Sequence, residues 1–148
     1  RVEYAKWTNC DFREADFEDF RCMNGDLSNG RWEGAALLNA MMMDVSLVGG
    51  VFDGCLMERA SFPACDFSNA SLVGVDLTRA ELLGAIFHRS NLRDAVFDHA
   101  NCHKASFRDA DLSDASFENA DLTGADFRGA VLTHANFANA KLDGASFD

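Results

Sequence analysis

The stretch from Ala110 to Gly124 reads Ala-Asp-Leu-Ser-Asp-Ala-Ser-Phe-Glu-Asn-Ala-Asp-Leu-Thr-Gly, one five-residue unit written three times. Working outward, the same phase holds from Val2 to Phe147 without a single insertion. The large position (2, 7, 12 and onward) occurs 30 times, filled by twelve Phe and eleven Leu, with Val2, Trp7, Cys22, Trp32, Met42, Met57 and Cys102 as the others. Two residues earlier lies a small position, Ala at nineteen of 29 sites. Five is neither the period of a helix nor the two-residue alternation of a strand. Two apolar residues two apart point to the same side of extended backbone. The position two after the large residue is Gly, Asn or Asp at twenty of 29 sites, residue types that tolerate the positive φ of a sharp corner. Each unit is thus a short extended stretch followed by a corner. Repeats of this kind stack into solenoids, in which a unit buries its apolar face only against its neighbours.

Runs such as Ala110-Asp111-Leu112-Ser113-Asp114 and Ala120-Asp121-Leu122-Thr123-Gly124 resemble the motif of the pentapeptide-repeat family, A-(D/N)-L-X-X, over essentially the whole chain. The resemblance implies an all-β fold: a right-handed quadrilateral β-helix with four repeats, hence twenty residues, per coil and no inserted loops. About seven coils at ~4.8 Å would make a rod on the order of 35 Å long. Such a coil assigns the large residues to four walls. One reads Trp7, Leu27, Leu47, Phe67, Phe87, Phe107, Phe127, Phe147; the opposite one reads Phe17, Leu37, Met57, Leu77, Phe97, Phe117, Phe137. Two Phe ladders flanked by Leu ladders keep the core volume nearly constant from coil to coil. The N-terminal half is less regular, with Phe20 on a small site and Trp32, Met42 and Met57 on large ones, and looser or distorted coils are expected there.

At 148 residues the chain reads as a single domain, residues 1–148. It starts at Arg1 in mid-pattern with no readable cap, which is the expectation for a fragment or processed form of a longer, bacterial-type protein, or for a rod whose ends another copy covers. No apolar run approaches a membrane span and no secretory signal is visible. All five cysteines fall on inward registers, so they read as buried packing residues of a cytoplasmic protein. The spacing of Cys10, Cys22, Cys55, Cys65 and Cys102 offers no convergent metal site.

Chemistry requires converging groups in a concavity. His88, His99, His103 and His134 fall on outward registers, each on a different wall, and the glycines follow the corner phase rather than forming a phosphate loop. The reading is therefore a non-catalytic module with no catalytic residue, metal or cofactor. The net charge of −11 is divided evenly between the halves and argues against direct nucleic-acid binding. It raises instead the idea that the rod imitates DNA. The gyrase-targeting, quinolone-resistance branch of the family is similar in being an acidic rod, and its members are thought to occupy the DNA-binding groove of gyrase. By resemblance, this chain has an alternative role as a DNA mimic that binds gyrase or another topoisomerase. About 35 Å of duplex carries roughly twenty charges, however, about twice the net charge available here. The best acidic column is Glu18, Glu58, Asp98 and Glu118, interrupted by Leu38 and Thr78, while His88, Arg108 and Arg128 form a basic column beside Arg89. The register also sends apolar residues outward. Met23, Met43, Pro63 and Leu83 are spaced by twenty and should stack in one exposed column, with Leu38, Met41 and Leu56 close by. Exposed contiguous apolar surface marks interaction sites, and Met suits adaptable ones. The preferred expectation is a rigid interaction or scaffold module whose partner is another protein, another domain of the same protein, or a second copy in a homodimer.

Overall fold

The computed structural model describes residues 1–148, and its only extended strands are β1 (Val2–Glu3), β2 (Arg21–Met23) and β3 (Met41–Met43). These three form one parallel sheet in the order β1-β2-β3, with Val2 opposite Cys22 and Cys22 opposite Met42. Elsewhere the extended segments are single paired residues. Every pairing is parallel and joins residues twenty apart, from Lys6 with Asp26 to Asp126 with Ser146. Twenty residues per coil and four five-residue walls follow directly, and the chain is the expected β-helix.

The corners explain why this sequence winds so tightly. In most units the small residue's amide donates to the carbonyl of the large residue three before it, as Ala15 N does to Phe12 O at 3.1 Å. The residue in between takes a left-handed conformation. At this position 21 non-glycine residues and eight glycines share φ values between 51° and 74°. A positive φ at the third residue of a four-residue turn is the mark of type II geometry, which Gly and Asn adopt most readily. Left-handed conformation costs an ordinary L-residue roughly 1–2 kcal/mol. Arg59, Ala64 and Arg79 carry that cost because both flanks of the turn are locked into neighbouring coils. The amides of Trp7 and Asn9 donate to Asp26 O and Ser28 O in the next coil, both at 2.9 Å.

Asp and Asn recur just before the large residue for a second physical reason. Eight aspartates and three asparagines there accept the backbone amide two residues on, for example Asp66 from Ser68 at 2.8 Å and Asp76 from Thr78 at 2.9 Å. The side chain closes the open side of the corner, an Asx turn. Much of the acidity is thereby a requirement of the fold.

Inside the tube Phe67, Phe87, Phe107, Phe127 and Phe147 stack with centroids 5.0–5.1 Å apart, close to the rise of one coil. Phe97, Phe117 and Phe137 stack on the opposite wall, and the two ladders meet edge to face at 5.5–6.2 Å. The N-terminal half is distorted at its corners, the turn bond being missing at Ala5, Cys10, Gly25, Gly30 and Val45, but its packing is not looser around the irregular residues. Trp32, Met42 and Met57 are fully buried, and the pairing runs through them uninterrupted. The aromatic ladder simply occupies another wall there: Phe12, Trp32 and Phe52 stack in turn, with centroids 4.2 and 5.6 Å apart. Glycine replaces alanine where the ring is wide. A Cβ on Gly30 would lie 2.5 Å from Trp32 Nε1, and one on Gly50 2.5 Å from Phe52 Cε2. Phe20, on a small register, packs half-buried against Trp7 and Phe17 in the first coil.

Candidate functional site

A loop-free square tube has no cleft; its chemistry lies in columns of outward side chains repeated every coil. The wall bearing β1–β3 is the flattest part, because Glu3, Met23 and Met43 continue the strand where other walls have already turned. Met23 and Met43 sit side by side in register, as do Arg21 and Met41. Met41, Met43 and Leu83 are exposed, and Met23 and Pro63 are half-buried in the same column. A shallow groove at the N-terminal end of this wall is lined by Arg1, Arg21, Met23 and Met41. Leu38 (half-buried) and Leu56 (exposed) lie around the corner on the adjoining wall, so the expected apolar patch spans an edge rather than one plane.

The acidic column is sparser in space than in sequence. Glu18, Glu58 and Glu118 are exposed, but they stand two and three coils apart, about 10 and 14 Å. Asp98 is turned onto the wall instead, accepting from Ser116 Oγ at 2.6 Å and Glu118 N at 2.9 Å.

Neighbouring coils also contact each other at an offset of eighteen residues, a regularity the five-residue period does not display. Ser28 meets Ser46 at 2.8 Å, Asp53 meets Ser71 at 2.7 Å, and Asp98 meets Ser116 at 2.6 Å. His88 Nε2 lies 2.7 Å from Ser106 Oγ in the same series. This histidine–serine pair is therefore one rung of a structural ladder, and no carboxylate orients the ring. Above it a wholly polar groove of about 400 Å³ is lined by Ser68, Asn69, His88, Arg89, Arg108 and Asp109. The sequence reading had grouped His88, Arg89 and Arg108 by column, but not the concavity they share.

Electrostatics single out packing rather than reactivity. Burial pushes the Cys55 and Cys65 thiols up to about 12 and Cys102 and Cys22 upward as well, so none supplies a thiolate near neutrality. Cys55 donates to Trp32 O at 2.7 Å, while Cys10 alone of the five is only half-buried. Asp126 is held at about 2 chiefly by its side-chain hydrogen bonds to Arg128, at 2.9 and 2.6 Å. No three His, Cys, Asp or Glu side chains converge as metal ligands would, and no helix is long and apolar enough to cross a membrane.

The family model described as a pentapeptide repeat region matches residues 71–147. Among solved structures, a trypsin-treated form of QnrB1, a plasmid-mediated fluoroquinolone resistance protein, aligns over 99% of this chain and 91% of its own, at 19% identity and a TM-score of 0.51. HetL, a pentapeptide-repeat protein of the cyanobacterium Nostoc sp. strain PCC 7120 involved in heterocyst differentiation regulation, is 26% identical over 95% of this chain and 75% of its own, with a TM-score of 0.37. Rfr23, a pentapeptide-repeat protein from the cyanobacterium Cyanothece 51142, is 27% identical over 62% of this chain and 66% of its own, with a TM-score of 0.36. No curated protein sequence matches the chain significantly.

Proposed function

The chain belongs to the pentapeptide-repeat family, and from that premise we propose that it is a non-catalytic interaction rod that presents side-chain columns at fixed axial spacing to another protein. The observation that carries this reading is the group of exposed Met41, Met43 and Leu83, with Leu56 around the edge, on a loop-free surface whose other exposed large apolar residues, Tyr4, Val131, Leu142 and Phe147, lie toward its two ends. Water gains nothing by wetting a methionine column, and a rigid sheet wall holds it ready without an ordering cost. The alternative, an acidic mimic of DNA acting on a topoisomerase, has weaker support. Eight of the 24 acidic residues are aspartates engaged in closing corners, and Asp98 of the best acidic column is tied to its own wall.

A photo-crosslinking residue placed at Met43 tests the interaction reading against the same residue at Thr133 on a different wall. Crosslinked protein should form at Met43, not at Thr133, and should fall at least tenfold when Leu83→Asp is added. Equal labelling from the two walls would refute an interaction at this surface.

A further inference from the structure

The wall that carries the apolar column also carries an ordered distribution of charge. Over its first six coils the column just before the large residue runs Arg1, Arg21, Met41, Ser61, Glu81, Asn101, and Asp121 and Lys141 follow beyond them. The column just after it runs Glu3, Met23, Met43, Pro63, Leu83, His103 over the same coils, with Thr123 and Asp143 beyond. Within these six coils two arginines lie on one side of the first column, Arg1 already paired with Glu3, apolar and small residues fill its middle, and Glu81 lies on the other side.

Such a wall is complementary to itself when reversed. We propose that two copies of this chain pair side by side and antiparallel through this wall, about a two-fold axis that lies in the contact plane between the coils of Met41 and Ser61. A rotation of this kind keeps each column over its own counterpart and inverts the order of coils. It sets Arg21 against Glu81, Met41 against Ser61, Met23 against Leu83, Met43 against Pro63 and Glu3 against His103. Each of these contacts forms twice in the pair. The proposal rests on the reading of this wall as an interaction surface and names its occupant.

Three features select a second copy in this register. Arg21 is exposed and takes part in no ion pair, and Glu81 is exposed with only Asn101 Nδ2 donating to it, at 2.8 Å. Within one rod these two stand three coils apart, about 14 Å, too far to meet. Sliding the reversed copy by one coil either way sets Glu3 on Leu83 or Glu81 on Met41, leaving a carboxylate against an apolar side chain. Finally, β2 and β3 flatten the half of the wall that holds Arg21, Met23, Met41 and Met43, the half that receives Ser61 to Leu83 of the reversed copy.

Six coils of ~4.8 Å and a wall about three extended residues wide give a face of roughly 30 by 10 Å. That is below a standard-sized interface, so the pair is a weak one.

Sedimentation of the 148-residue chain across concentrations tests this by charge exchange. Arg21→Glu and Glu81→Arg should each weaken self-association at least tenfold, since each homodimer then holds two like-charge contacts. An equimolar mixture of the two variants should associate as well as the unaltered protein, because both cross-contacts are restored in the heterodimer. Both substitutions lie on exposed side chains, and an unchanged melting curve confirms the fold. An unaltered chain that stays monomeric at several hundred micromolar, or a mixture no stronger than its components, overturns the pairing. If Met43 nevertheless crosslinks to a different protein, the interaction wall stands and only the second copy is wrong.

Discussion

At the scale of single residues, core volume is conserved by exchange between registers rather than at each site. Trp32 is the largest fully buried side chain, and Gly30 provides its room. The Trp32 indole N–H has no hydrogen-bond partner, so the site pays for ring area with an unsatisfied donor. Gly30→Ala should therefore cost about 1–3 kcal/mol, the usual penalty for overpacking. The contact of that Cβ with Leu27 O, at 3.2 Å, recurs as 3.1 Å between Gly50 and Leu47 O, so it belongs to the register and not to the tryptophan. In a Trp32→Leu background, which reproduces the Ala70–Leu72 pair found farther along the same wall, the same substitution should cost less than about 0.5 kcal/mol by urea denaturation, a direct measure of coupling. Equal costs in the two backgrounds would show that the ring is not the obstacle. The sequence displayed Trp32 as an irregularity and Gly30 as another; that one relieves the other is visible only once the ring's direction is known.

At the scale of the corner, charge and fold are the same subject. Each of the eight aspartates that precede a large residue caps its own turn, and where Arg stands two residues on, as in Asp126 and Arg128, a paired guanidinium is added. The folded protein holds Asp126 at about 2, below its ordinary 3.8, so the folded state binds this proton less tightly than the unfolded chain does. The resulting stabilisation is complete above about pH 4 and is lost as the pH falls towards 2. The stability gap between the unaltered protein and Asp126→Asn should accordingly narrow between pH 4 and pH 2, measured by denaturant midpoints; a constant gap would contradict it. Corners were legible in the sequence because Gly, Asn and Asp recur with them. The cross-coil bonds at an offset of eighteen, which set Asp98 on Ser116 and His88 on Ser106, were not, because a period of five fixes phase and says nothing about which side chain leans into the next coil.

At the scale of the whole molecule, phase was nearly the entire fold. Wall assignments from the twenty-residue coil put Phe107, Phe127 and Phe147 on one stack and Met23 and Met43 on one outer column, where the structure has them. The relocation of the N-terminal ladder to Phe12, Trp32 and Phe52 was written in the same register but masked by substitutions that looked like disorder. Surface meaning was harder to read. The patch reads as one cluster in sequence and divides at an edge in space, leaving Leu38 and Leu56 on another wall from Met41 and Leu83. The flatness that favours this wall comes from strand pairing that no single unit encodes.

Function as a rigid presenter of columns depends on a coil that neither slips nor bends. Spin labels at Thr8 and Arg108 read this most directly, since both are exposed in one column, five coils apart. Pulsed dipolar spectroscopy should give one narrow distance near 24 Å plus the label linkers, five rises of ~4.8 Å. A broad distribution, or a separation longer by more than a coil or two, would contradict the rod.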